Sequence, residues 1–154
     1  MSHSPAVLCI DDNVLGLAVR KAMLESRDYK VFTAENGPAG LEIASREDID
    51  LVILDYQMPE MDGGQVAKQL RNSCSHIPIL LLSGFPGRIP RSLLAAVDGF
   101  VLKGSSPEVL LKEVERITRE SAPAEALRLL DRRRSRESAR GCRRSVRRRQ
   151  KRKP

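Results

Sequence analysis

A chain of 154 residues can bury one substantial core but not two ordinary domains with a linker, and its 41% hydrophobic and 31% charged content is that of a globular protein. Charge is unevenly placed: 13 Lys and Arg stand against 17 Asp and Glu through Glu120, then 14 against 3 in residues 121–154, so an acidic body ends in a basic arm. No run nears the roughly 18 apolar residues of a membrane span, the first residues lack a secretory signal pattern, and Cys9, Cys74 and Cys142 lack CxxC spacing; a soluble, cytoplasmic protein with reduced thiols and no membrane association is expected.

Ala6–Ile10 is a compact apolar run that predicts a strand buried on both faces, and Leu15, Val19, Ala22 and Met23 follow at helical spacing. Lys30–Thr33 predicts a second strand; Asn36-Gly37 then makes a turn and Pro38 opens a helix carrying Leu41 and Ala44. Leu51–Leu54 is the third strand, followed by a helix with Val66 and Leu70. Ile77–Leu82 is the fourth, with Ile89, Leu93 and Val97 marking the helix after it. Gly99–Leu102 is the fifth. The last helix has Ser105 or Ser106 as its N-cap, Pro107 in its first turn, Leu110, Val114 and Ile117 at helical spacing, and an end near Glu120. Alternating strands and helices predict an α/β fold, a doubly wound five-stranded parallel (βα)5 sheet over residues 5–120. Residues 121–154 hold too few core formers for a domain and are expected to be a disordered basic tail.

In such sheets ligands bind outside the carboxyl ends of the strands. Those ends carry Asp11 and Asp12, then Asp55, Ser83 and Lys103. Any one of the acids alone would read as a turn or a helix cap, as Asp12 or Asn13 does. Three carboxylates together repel, which calls for a cation or for a raised pKa on one of them. Oxygen-only ligands without His or Cys suit Mg2+, which commonly joins carboxylates to a phosphoryl group. No GxxxxGK[ST] or GxGxxG loop is present to cradle a nucleotide.

The segments IDDN, LDYQMPEMDG, LLSG and FVLKG, in this order and spacing, resemble response-regulator receiver domains over about Pro5–Glu120. The resemblance implies a flavodoxin-like fold with strand order 2-1-3-4-5 and a response regulator of a two-component phosphorelay. Asp55 would accept a phosphoryl group from a histidine kinase or phosphotransfer protein. Asp12, Asp55 and the Gln57 backbone carbonyl would hold Mg2+, with Asp11 acting directly or through water. By the same resemblance Lys103 pairs with a phosphoryl oxygen, Ser83 hydrogen-bonds another, and Phe100 is the aromatic that turns inward on phosphorylation. Met58, Pro59 and Gly63 shape the loop after the acceptor. An effector protein would bind the face of the fourth helix, fifth strand and fifth helix. Such a domain takes part in its own phosphorylation and reset, so no independent substrate, and no conventional enzyme, is expected. Two departures stand out. Gly104 follows Lys103 where many relatives have a cis proline; a cis bond there would cost about 2.5–4 kcal/mol, so a trans, looser loop is expected. Ser83 replaces a common Thr, keeping the hydroxyl and losing a methyl.

Two other readings compete. A Mg2+-dependent phosphohydrolase also uses an aspartyl nucleophile, but its common arrangement sets two acids two residues apart after the first strand, whereas Asp11 and Asp12 are adjacent and Asp55 follows the third. The tail, with RRRSR and RRSVRRRQKRK, would attract nucleic acid or another polyanion in a salt-sensitive, sequence-independent way; a merely solvated arm is the plainer reading. His3 and His76 lack ligand spacing and receive no role.

Overall fold

The Val-, Ile- and Leu-rich runs become five parallel strands, β1 (Ala6–Ile10), β2 (Lys30–Ala34), β3 (Leu51–Asp55), β4 (Ile79–Ser83) and β5 (Gly99–Leu102). The helices are α1 (Val14–Glu25), α2 (Gly37–Arg46), α3 (Gly63–Ser73), α4 (Arg91–Ala96) and α5 (Pro107–Glu120). The computed structural model describes residues 3–121; the expectations placed on the arginine-rich segment and on Cys142 lie outside them. The sheet order is β2-β1-β3-β4-β5, the flavodoxin-like order that the resemblance implied.

Every residue of β1, β3 and β4 is buried, because alternate side chains enter two different cores. Leu8, Ile10, Val52, Leu54, Ile79 and Leu81 meet Val66 and Leu70 of α3 on one face. Val7, Cys9, Leu51, Ile53, Leu80 and Leu82 meet Leu17 and Leu24 of α1 and Leu110, Val114 and Ile117 of α5 on the other. This two-sided burial is why the strands read as unbroken apolar runs. Cys9 is sealed so completely that burial pushes its thiol pKa up to about 12.

Two expectations need correction. The apolar stripe chosen for α1 faces solvent: Leu15 is 74% and Val19 60% exposed, Ala22 is exposed and Met23 only half-buried. The helix instead turns Leu17, Arg20 and Leu24 inward, at i, i+3 and i+7, and the Arg20 guanidinium finds the Asp11 carboxylate. The fourth helix is also shorter than the Ile89–Val97 spacing predicted. A 3₁₀ turn spans Pro86–Arg88, Ile89 is extended (φ −89°, ψ 125°), and α4 covers only Arg91–Ala96. The cause is Pro90, whose ring disfavours helical geometry in the residue before it.

Helix entries follow the local chemistry. Asn36, read as part of a turn, is the N-cap of α2 and accepts from the Ala39 N–H at 2.8 Å, with Pro38 in the first turn. Arg71 of α3 donates to the Ala96 and Ile77 carbonyls and pairs with Asp98 at 2.7 Å, tying α3 to the end of α4 and the entry to β5. Among the described residues no helix is long and apolar enough to cross a membrane.

Candidate functional site

The chain leaves β1 for β2 at one edge and returns to place β3 on the other flank of β1, so the carboxyl ends of β1 and β3 border the crevice where the strand order reverses. Pairing of Ile10 with Leu54, Asp55 with Leu82, and Ser83 with Leu102 levels these ends into one rim. Asp11 follows β1, Asp55 ends β3, Ser83 ends β4 and Lys103 follows β5. Asp11 and Asp55 are 1% and 2% exposed; Asp12 lies open beside them. One carboxylate oxygen from each of the three lies within 4.8 Å of the others.

Protein donors temper this repulsion. Lys103 Nζ bridges Asp55 Oδ1 at 2.9 Å and Asp11 Oδ2 at 3.2 Å. The Gln57 N–H donates to Asp55 Oδ1 at 3.3 Å and the Asn13 N–H to Asp11 Oδ1 at 2.9 Å, while Arg20 Nη2 donates to Asp11 Oδ2. The two buried acids consequently diverge. Burial, with Asp11 adding repulsion, outweighs the Lys103 hydrogen bond and raises Asp55 from 3.8 to about 6. Burial acts on Asp11 in the same sense, but the Asn13 N–H, Arg20 and Lys103 together hold it below the ordinary carboxylate value.

The loop after β3 is held by Gly63. Its N–H donates to the Tyr56 carbonyl at 2.9 Å, and a Cβ there would lie 2.5 Å from the Asp55 carbonyl oxygen and 2.7 Å from the Tyr56 Cα, so any side chain would push the loop away from Asp55. Asp62 and Gln65 close a capping box at the start of α3, and Glu60 takes a left-handed φ of 65° between them and Met58. Ser83 Oγ accepts from the Phe85 N–H at 3.1 Å, and Phe100 is half-buried against the core containing α3. The Lys103–Gly104 peptide is trans, and Gly104 has φ +91°, a value closed to proline.

Of the residues singled out in the sequence, Asp11, Asp12, Asp55 and Lys103 converge; Gln57 is exposed two residues past Asp55, and Ser83 lies on the same rim. Arg20 was missed. Its signal was an arginine set between two leucines at inward helical spacing. Among the described residues the three aspartates form the one group of acids, His or Cys arranged to hold a metal, and neither His3 nor His76 belongs to it.

Residues 7–115 match the family model described as the response regulator receiver domain. The chain is 36% identical over 128 residues to the transcriptional regulatory protein GlrR of Escherichia coli, covering 80% of this chain and 29% of that one. It is 32% identical over 118 residues to the two-component response regulator ORR3 of Oryza sativa, covering 73% of this chain and 90% of the rice protein. The solved response regulator TrrA of Thermotoga maritima, in complex with Mg2+ and BeF, superposes with a TM-score of 0.69 at 29% identity, covering 73% of this chain and 98% of that one.

Proposed function

The chain belongs to the response-regulator receiver family, and we propose that Asp55 is its phosphoacceptor, that residues 5–120 are the receiver, and that its phosphodonor is a histidine kinase or phosphotransfer protein. The observation that carries this reading is Lys103 bridging two buried carboxylates at the switch point, one of them raised to about 6. The first compact unit of the chain, Met1–Ser121, supports the bounds.

An all-oxygen donor set with atoms within 4.8 Å of one another fits a hard divalent ion. Asp12, Asp55 and the Gln57 carbonyl would hold Mg2+, with Asp11 contributing directly or through water; when bound, the ion offsets charge on the phosphoryl oxygens. The chain's own residues do the rest. Both protein donors to Asp55 reach Oδ1, which leaves Oδ2 to attack phosphorus. The new O–P bond forms as the P–N bond to the donor imidazole breaks, and the imidazole leaves with the electron pair. Lys103, already at the carboxylate, passes to a phosphoryl oxygen, and the Ser83 hydroxyl, which accepts from the Phe85 N–H, donates to another. Water later hydrolyses the acyl phosphate, so no independent substrate is turned over.

Phosphorylation would draw Ser83 and Phe100 toward the pocket and reshape the α4–β5–α5 face, whose elements carry exposed Leu94, Leu102 and Val109 as apolar contacts for an effector. The exposed Val14, Leu15 and Val19 of α1, beside the acidic rim, offer the donor a docking stripe. A cytoplasmic setting belongs to this reading and is supported by Cys9 and Cys74 being free thiols. For residues 121–154, charge is the one support for polyanion contact, and a solvated arm is the plainer reading.

Intact mass tests the proposal. After incubation with acetyl phosphate, wild type with Mg2+ should gain one labile phosphate, and neither EDTA-treated wild type nor Asp55→Asn should. An adduct that survives Asp55→Asn would remove Asp55 from the role.

A further inference from the structure

Arg20 is an odd resident of its position. The side chain lies between Leu17 and Leu24 on the inward face of α1 and is only 14% exposed, so its site is one that an apolar residue would fill at lower desolvation cost. Its buried Nε has no hydrogen-bond partner, a further cost. One turn earlier, Gly16 lies beneath the guanidinium: a Cβ there would sit in contact with Arg20 Nη2 at 3.4 Å and Nη1 at 3.5 Å. Packing does not explain an arginine threaded along its own helix over a glycine. The Asp11 carboxylate does.

With Arg20 in place, both Asp11 oxygens are engaged by protein. Oδ1 takes the Asn13 N–H, and Oδ2 takes both Arg20 and Lys103. Two cations thus stand against three carboxylates, one arriving from α1 and the other from the loop after β5. Lys103 is on a loop and has the proposed task of following the phosphoryl group, whereas Arg20 is fixed by its helix.

We propose that Arg20 is a positioning residue that sets the charge of the acidic pocket: by holding Asp11 as its own counter-ion, it weakens divalent-cation binding and leaves Asp12, Asp55 and the Gln57 carbonyl as the effective ligands. This rests on the metal site proposed above. Fixed positive charge a few ångströms from a divalent ion opposes its entry, and an Asp11 oxygen already donated to by a guanidinium is a poor ligand.

The test is calorimetric titration of the metal-free full-length chain with MgCl2, with circular dichroism to verify folding. Arg20→Met should bind Mg2+ at least about tenfold more tightly than wild type, equivalent to about 1.4 kcal/mol. Arg20→Lys, which keeps the charge, should stay within about threefold of wild type. If Arg20→Met does not fold, Arg20→Gln replaces it under the same criterion. Binding that Asp12→Asn abolishes but Arg20→Met leaves unchanged or weakens overturns this inference alone, as does Arg20→Lys behaving like Arg20→Met. Wild-type binding that is absent or insensitive to Asp12→Asn overturns the metal site and this inference with it.

Discussion

Helices α1 and α5 pack side by side on one face of the sheet, yet they use their apolar residues in opposite ways. In α5 a single stripe, Leu110, Val114 and Ile117, points inward, and the outer face carries ion pairs such as Arg116 with Glu113 and Glu120. In α1 two stripes compete. The inward one contains two leucines and a charged residue, while Val14, Leu15 and Val19 are left in solvent. Helical periodicity therefore announces that a helix exists, but where a helix borders a charged pocket, hydrophobicity alone does not decide which face it buries. α5 is held by hydrocarbon; α1 is held partly by electrostatics, and it leaves apolar side chains exposed.

The harshest way to break this contrast is to place an acid on each helix. Val114→Asp should lose more than about 4 kcal/mol, a large share of an ordinary domain's stability, because the charge is buried without a partner. Val19→Asp should stay within about 0.5 kcal/mol of wild type in urea denaturation. It should nonetheless slow phosphoryl transfer from a protein donor while leaving the reaction with acetyl phosphate unchanged. Equal losses of stability would erase the distinction.

A smaller effect lies in pH. The folded-state pKa of Asp55, about 6, is above its ordinary 3.8, so the folded chain holds this proton more tightly than the unfolded one. In the metal-free protein its contribution to stability is therefore greatest below about pH 4 and is lost as pH rises through 6. Asp11, lowered, works in the reverse sense: its contribution is present above 3.8 and is lost on acidification below it. Asp55→Asn should then be the more stable protein at pH 7.5, by on the order of 1–3 kcal/mol, with the difference shrinking toward pH 4. Thermal melts in EDTA across that range measure it, and a gap independent of pH would exclude Asp55 as its source.

The smallest difference is at the helix starts. Asn13 caps α1 by accepting from the Gly16 N–H at 2.9 Å, whereas Ser106 at the start of α5 makes no side-chain cap hydrogen bond. Asn13→Ala should cost about 1 kcal/mol and Ser106→Ala less than about 0.5 kcal/mol in chemical denaturation. The reverse order would show that the two caps had been misread.

The strands were legible because burial on both faces forces unbroken apolar runs, and the pocket because Asp11, Asp12, Asp55 and Lys103, which meet there, all follow or end strands. Local spacing failed where the third dimension intervened. Ile89 keeps a four-residue spacing with Leu93 and reaches the same core from an extended backbone, so the break at Pro90 was masked. Arg20 was passed over, since its partner lies nine residues away at the end of a strand. Lys103 was expected to sit less firmly without a proline after it; two carboxylates anchor it, although the loop behind it is as open as Gly104 implies.

One buried sulfur gives the sheet an internal witness. Cys9 is the last residue but one of β1, a strand paired on both sides, and with a pKa near 12 it offers essentially no thiolate to an alkylating or oxidising reagent at neutral pH. No fraying at an edge can uncover it. Chemical modification of Cys9 is thus a clock that advances only when the core between the sheet and helices α1 and α5 opens, which separates that opening from local motions of the loops at the strand ends.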